Sequence, residues 1–467
     1  MGEKERKQYE RLVLMPVTRL IPRLAVPTVI SMLITMIYNL VDAFFVGRLG
    51  TSASASISIL ASVHAVFQAI GFMFGHGSGS NISRALGSGD TETANSFATQ
   101  GVLAALAVSV LPAILGLVFL EPLMTLLGST KTILPYSMNY GFYILISGPA
   151  LALSCVLNNI LRYEGKAVYA MVGLVTGGVL NMIGDPILMF GLNMGIDGAG
   201  LSTAISQYIS LAILGTMFLT GKSISRIRLK GFRWRWGMLW RVIRNGLPSL
   251  IRQVLASAST ATLNISSKPY GDAAIAGMGI VGRIVMFMGA VMMGIGQGFQ
   301  PVSAYNYGAK KYERIRRSVR FTWLSGEVVL GTLALIAFFF PEQIMSLFLK
   351  NPRAIQIGAV SLRFQCIALV LQPFSVVSNM LFQSTGKSFS ASFVASLRSG
   401  IYYIPLLLIL PRLIGLLGIQ TAQMISDILT TVTCIPFMAA FMRRLPRGDM
   451  RTAVDEAYEA LIVQEQS

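Results

Sequence analysis

The sequence predicts an all-α polytopic membrane protein with twelve transmembrane helices arranged as two parallel six-helix repeats. Three observations predict it. The 467 residues are 54% hydrophobic and only 12% charged, against about 25% charged in a soluble chain. Uncharged stretches of about 20 residues, enough to cross a bilayer, recur from end to end, and mean hydropathy is +0.64. Third, the chain matches itself at an offset of 221 residues.

The spans fall near 17–47, 54–86, 95–119, 133–162, 168–190, 197–220, 241–267, 274–307, 315–340, 354–384, 389–410 and 418–442. An even number puts both termini on one side. The loops and ends on that side hold 28 Lys and Arg, and the opposite loops hold six: Arg48, Lys131, Lys268, Lys350, Arg353 and Arg412. The positive-inside rule then makes both termini cytoplasmic, in a plasma (inner) membrane. The net charge of +18 is thereby accounted for by topology, and no nucleic-acid partner is expected. The charged first 23 residues do not read as a cleavable signal peptide. Cys155, Cys366 and Cys434 all lie in apolar runs, which suggests neither a disulfide framework nor a metal site.

The repeat gives the domain plan. It pairs Arg23 with Arg244, Pro27 with Pro248, Gly50 with Gly271, Gly77 with Gly298, Asn158 with Asn379 and Gly165 with Gly386. Near Gly195/Gly415 the offset becomes 220. Glycines and prolines align because they mark turns, bends and close contacts in each copy. The offset joins span 1 to span 7, an even step, so the copies run parallel, an architecture of transporters with substrate between the halves. The plan is an N-lobe at 1–220, a basic linker at 221–241, a C-lobe at 242–445 and a cytoplasmic tail at 446–467. The linker, GKSISRIRLKGFRWRWGMLWR, reads as an interfacial segment or as a simple connection.

Two intramembrane acids break the repeat. Asp42, in TMIYNLVDAFFVGR, aligns with Leu263, and Asp185, in NMIGDPILMF, falls opposite Ile404, Pro405 or Leu406. A carboxylate in hydrocarbon is penalised by roughly 3 kcal/mol, so such residues face a cavity or a partner. Asp42, Asp185 and Thr203 each lie six residues below the outer end of their spans, roughly 9 Å deep. Helical spacing adds Tyr38 and Asn39 beside Asp42, Asn181 beside Asp185, and Gln207 beside Thr203. Pro186 leaves the carbonyl of Met182 without its helical donor. Carboxylates, amide oxygens, a hydroxyl and a free carbonyl suit a proton or a small hard cation such as Na⁺. Thr203 and Gln207 read equally as interhelical contacts. His64 and His76 read as packing or pore-lining groups. Asp427 and Glu327 are single acids with no partner visible at helical spacing.

These motifs together resemble the multidrug and toxic compound extrusion (MATE) family over nearly the whole chain. The resemblance rests on YNLVDAFFVGRLG at 38–50, NMIGDPILMFGLNMGIDGAGLSTAIS at 181–206 and GFQPVSAYNYGAKKYERIRRSV at 298–319, within twelve spans in two parallel halves. It implies a V-shaped pair of lobes and an antiporter that exports organic, often cationic, compounds against inward Na⁺ or H⁺. Within the family the chain looks like the DinF-like branch, whose coupling acids lie in the N-lobe. That likeness carries the coupling-cation role to Asp42, Asn181, Asp185 and Thr203. Spans 7 and 10, which bear essential acids in another branch, have no Asp or Glu here. They carry Arg252 and Arg363 instead, whose roles the sequence does not explain. Tyr38, Asn39, Gln207, Met286 and Met293 are candidates for the substrate cavity, since thioethers adapt to varied ligands.

Other classes fit less well. The TGKS at 385–388 lacks the glycine a phosphate-binding loop needs at position 381, where Leu381 stands. No nucleophile–base pair or metal-ligand cluster suggests an enzyme, and no cofactor is expected beyond the coupling ion. The runner-up is a lipid-linked saccharide flippase of related fold, kept open by Arg252, Arg283, Arg363 and Arg398 as partners for a diphosphate. The chain is expected to act as a monomer.

Overall fold

A computed structural model describes residues 2–230 and 232–466; Met1, Gly231 and Ser467, which fall in the N-lobe, linker and tail ranges, lie outside it. Twelve long helices dominate the described chain. They are α1 (Val17–Gly47), α2 (Thr51–Gly87), α3 (Thr91–Val118), α4 (Leu134–Tyr163), α5 (Ala167–Pro186), α6 (Ile196–Leu219), α7 (Trp236–Ser267), α8 (Asp272–Gly308), α9 (Tyr312–Phe339), α10 (Pro352–Ser384), α11 (Ser388–Ile414) and α12 (Leu416–Arg444). Eleven are long and apolar enough to cross a membrane, so the chain is a multi-pass membrane protein. The exception is α7, 32 residues long. Its arginines at 241, 244 and 252 and its Ser, Thr and Asn residues dilute the apolar run. It begins at Trp236, inside the stretch read as linker.

The repeat-paired glycines stand where the backbone needs them. Gly165 and Gly386 have φ of 77° and 79° in the turns after α4 and α10, and Gly195 and Gly415 have 59° and 63° at the starts of α6 and α12. These are left-handed conformations that a Cβ would strain. Asp90 caps α3 by accepting from the Thr93 amide at 2.9 Å, and Asn351 caps α10 by accepting from Arg353 at 3.0 Å. π-helical turns follow α5 (Ile187–Gly191) and interrupt α11 (Leu397–Ile401).

Two compact units result. The first comprises residues 1–9, 30–246 and 457–467, and the second comprises 10–29 and 247–456. α1 therefore begins in the second unit and ends in the first, and α7 does the reverse. Both changes fall beside a repeat-related proline, Pro27 or Pro248. Glycines let the exchanged ends seat closely. In the first unit a Cβ on Gly77 would lie 2.1 Å from the Val242 carbonyl oxygen. In the second, a Cβ on Gly298 would lie 2.6 Å from the Cα of Ala25. One core cluster of the first unit includes Leu60, Phe67, Met124, Ile144 and Met189, from α2, the short helix Leu120–Leu126, α4 and the π turn after α5.

Candidate cation site in the first unit

The last turn of α5 puts Asn181 and Asp185 on one face, four residues apart, and both are buried. Asn181 Nδ2 donates to Asp185 Oδ1 at 3.0 Å and lies 3.2 Å from Thr203 Oγ1 on α6. Ser202 joins the group, its hydroxyl donating to the Asn181 carbonyl at 3.3 Å. Gly184 permits this approach, since a Cβ there would lie 2.5 Å from the Ser202 hydroxyl. On α1, Asp42 is half-buried and accepts from the Tyr140 hydroxyl at 3.4 Å. Tyr140 comes from α4.

Two oxygens in this assembly are unanswered. Asp42 Oδ1 and Asp185 Oδ2 are buried with no hydrogen-bond partner. A buried carboxylate oxygen left bare is expensive, and a proton or a small hard cation relieves it. The oxygens turned to the cluster are carboxylate and hydroxyl, hard ligands that fit Na⁺ as well as H⁺, while Asn181 presents its amide nitrogen. No group of three or more His, Cys, Asp or Glu forms a metal centre among the described residues.

The cluster opens on a cavity of about 90 Å³ inside the first unit. Tyr38, Asn181, Thr203 and Gln207 line it, with Gln68, Asn158 and Arg162. At about 10–15 Å³ of such volume per water it holds several waters or an ion. A drug-sized ligand needs a pocket of about 300 Å³ or more. Asn39 is exposed and does not line it. Met286, 64% exposed, and the half-buried Met293 belong to the second unit.

His76 is buried, as a packing role requires, but it is also bonded at both nitrogens. Its Nδ1 lies 3.0 Å from the Phe72 carbonyl and its Nε2 3.1 Å from Arg162 Nη2. Arg162 also donates to Asn159 Oδ1 at 2.5 Å. In the second unit, Asp427 does have a partner, on another helix. Arg398 Nε sits 2.7 Å from Asp427 Oδ1. Glu327 accepts from the Trp323 indole N–H at 2.7 Å.

Sequence reasoning missed Tyr140, although the signal was available: it lies six residues below the start of α4, the depth already used for Asp42 and Thr203. It also missed Glu164, at the C-terminal end of α4. Buried Glu164 accepts from the amides of Ile224 and Ser225, both at 2.8 Å, and from the hydroxyls of Ser223 (2.9 Å) and Ser225 (2.5 Å). The extended strap that follows is held by Asn95, which accepts from the Arg226 amide at 2.6 Å, and by Thr99, which accepts from the Arg228 amide at 3.0 Å. Burial pushes the Glu164 carboxyl above the usual carboxylate range, while the four donors pull it back. The N-terminal helix Glu3–Tyr9 lies over the same surface: Lys4 donates to the Gly221 carbonyl, and Gln8 to the Glu164 carbonyl at 3.1 Å.

A duplicated six-helix unit with buried, unsatisfied acids on one copy only defines a membrane transporter of the two-repeat kind. Known proteins agree. The chain belongs to the MatE family, whose sequence pattern matches residues 27–187 and 248–409, one stretch in each repeat. Its relatives are transporters, and it is not an enzyme. It is 28% identical to the multidrug export protein MepA of Staphylococcus haemolyticus, over 93% of this chain and 94% of that one. It is 26% identical to MepA of Staphylococcus aureus strain MRSA252, over 92% and 95%. Among solved structures, a MOP-superfamily transporter from Pyrococcus furiosus superposes with a TM-score of 0.88 at 23% identity, covering 93% of this chain and 98% of the other, which establishes a common fold.

Proposed function

We propose that the chain is a multidrug efflux antiporter that exports organic, cationic compounds in exchange for Na⁺ or H⁺ by alternating access. It sits in the plasma (inner) membrane with both termini cytoplasmic. The coupling cation is held by Asp42, Asn181, Asp185 and Thr203, with Tyr140 as a further partner. The observation that carries this reading is the pair of buried carboxylate oxygens, Asp42 Oδ1 and Asp185 Oδ2, that nothing in the protein satisfies. Occupied by a cation, they are neutralised; ionised, they attract a cationic compound. Cation and drug then compete for one charge, which is what exchange requires.

The relatives named as multidrug export proteins support the substrate class. Tyr38 and Gln207, already on the cavity wall, together with Asn39, are candidates to touch the compound from the first unit, and Met286 and Met293 from the second. A cavity of about 90 Å³ must widen before a drug enters it. The flippase alternative draws no support from the named relatives, which are multidrug export proteins. The test is efflux of a cationic dye from proteoliposomes under separately imposed Na⁺ and H⁺ gradients. Export driven by one or both supports the reading, and dye movement indifferent to both overturns it.

A further inference from the structure

Arg398 and Asp427 form an ion pair inside the second unit that the coupling scheme does not use. Arg398 sits in the π turn Leu397–Ile401, ten residues into the 27 of α11, and Asp427 lies eleven residues into α12. At 1.5 Å per residue both are about 15 Å from the nearer helix end, beyond the reach of a side chain to the interface. π turns inside helices recur at functional sites.

The pair is lopsided. The acid is enclosed, with its side chain 4% exposed, while the arginine side chain is 30% exposed. Asp427 is held by Arg398 Nε at 2.7 Å and Nη2 at 3.3 Å, and by Gln423 Nε2 at 2.9 Å. Ser426 pins the Arg398 backbone by donating to its carbonyl at 2.7 Å. The carboxylate therefore occupies one edge of the guanidinium and leaves the Nη1 edge open. Arginine at this depth facing lipid is penalised by roughly 3 kcal/mol, so the open edge faces water-accessible space.

The repeat says where that space lies in the second unit. An offset of 221 puts Arg398 on Gly177, and the later offset of 220 puts Asp427 on Gln207. Gly177 and Gln207 both line the cavity of the first unit. The ion pair occupies the positions that match these two lining residues, with a guanidinium in place of a glycine.

We propose that the open edge of Arg398 is a carboxylate subsite, which lets the transporter take zwitterionic organic compounds as well as plain cations. A planar fork already oriented by one carboxylate accepts a second with little further ordering. Asp427 and Gln423 are positioning residues. This inference rests on the efflux reading above.

The test compares two dyes that differ only at the carboxyl: rhodamine 110, with a free carboxylate, and rhodamine 123, its methyl ester. Binding to purified protein is read by fluorescence anisotropy. Arg398→Gln should weaken rhodamine 110 by at least about tenfold, the size of one charge-assisted hydrogen bond, and leave rhodamine 123 within about twofold. Because Arg398→Gln leaves Asp427 buried and unpaired, the double variant Arg398→Gln/Asp427→Asn, which keeps a neutral pair, should show the same selective loss. Equal losses for both dyes, or none for rhodamine 110, in the double variant overturn the subsite and leave the efflux reading standing. Failure of the unaltered protein to bind either dye overturns both.

Discussion

Replacing Glu164 with alanine would release residues 223–228 from the first unit. Among the described residues the carboxylate is the sole acceptor for the amides of Ile224 and Ser225. Both residues are buried, and each orphaned donor costs about 1–3 kcal/mol, so the loss is about 2–6 kcal/mol. Water entering the vacated space relieves part of it, which favours the lower end. Even 2 kcal/mol raises the open population about thirtyfold. Trypsin reads that population directly, because Arg226 and Arg228 lie within the strap and cleavage there requires it to leave Asn95 and Thr99. In limited digestion of protein in detergent, cleavage after Arg226 and Arg228 should accelerate at least about thirtyfold. Cleavage at the exposed Arg447 should be unchanged. Equal rates at Arg226 and Arg228 in the variant and the unaltered protein, with helical content intact, would refute the reasoning.

Other outcomes follow from the same structure. Asp42→Asn and Asp185→Asn should each lower gradient-driven dye export by at least about tenfold while the protein still folds, since Asn is nearly isosteric; full export by both would make the acids structural. Lys230→Cys and Lys350→Cys in a background free of Cys155, Cys366 and Cys434 should label from opposite faces of the membrane, and labelling of both from outside intact cells would end the topology. Gly77→Ala should lower the thermal midpoint of the purified protein by the equivalent of about 1–3 kcal/mol, because its Cβ meets the Val242 carbonyl at 2.1 Å; Gly215→Ala, with nothing within 4 Å, is the control. The proton on Glu164 is held more tightly in the folded chain, so its contribution to stability is complete below the unfolded value of about 4.5 and is lost as pH rises through the folded value. Glu164→Gln should flatten that decline in the thermal midpoint, and an unchanged slope would show that another group titrates.

Much of the scaffold was legible because its signals are local. Apolar runs gave the spans, and paired glycines such as Gly165/Gly386 and Gly195/Gly415 announced turns that only a positive φ allows. Asp42 and Asp185 stood out because hydrocarbon makes a carboxylate conspicuous. What stayed hidden was pairing across helices. Gln423 and Trp323, four residues before Asp427 and Glu327, were overlooked as partners at helical spacing, and the arginine that pairs with Asp427 lies 29 residues earlier on another helix. Glu164 carries no local signal; only the return of residues 223–225, some sixty positions later, makes it a clasp. Met286 and Met293 were picked by residue type, which carries no information about facing.

The passage of the chain between its two units has a mechanical consequence. Every such change, at residues 9–10, 29–30, 246–247 and 456–457, falls within helical structure, and the strap at 221–228 stays wholly in the first unit. α1 is an arm that is weakest at Pro27, which offers no N–H to the preceding turn. Asp42 stands fifteen residues along that arm, about 22 Å away. A kink of about 20° would swing it sideways by about 8 Å. The Tyr140–Asp42 hydrogen bond, 3.4 Å long, would not survive such a displacement, so a straight α1 is the form that keeps Asp42 at the cation site.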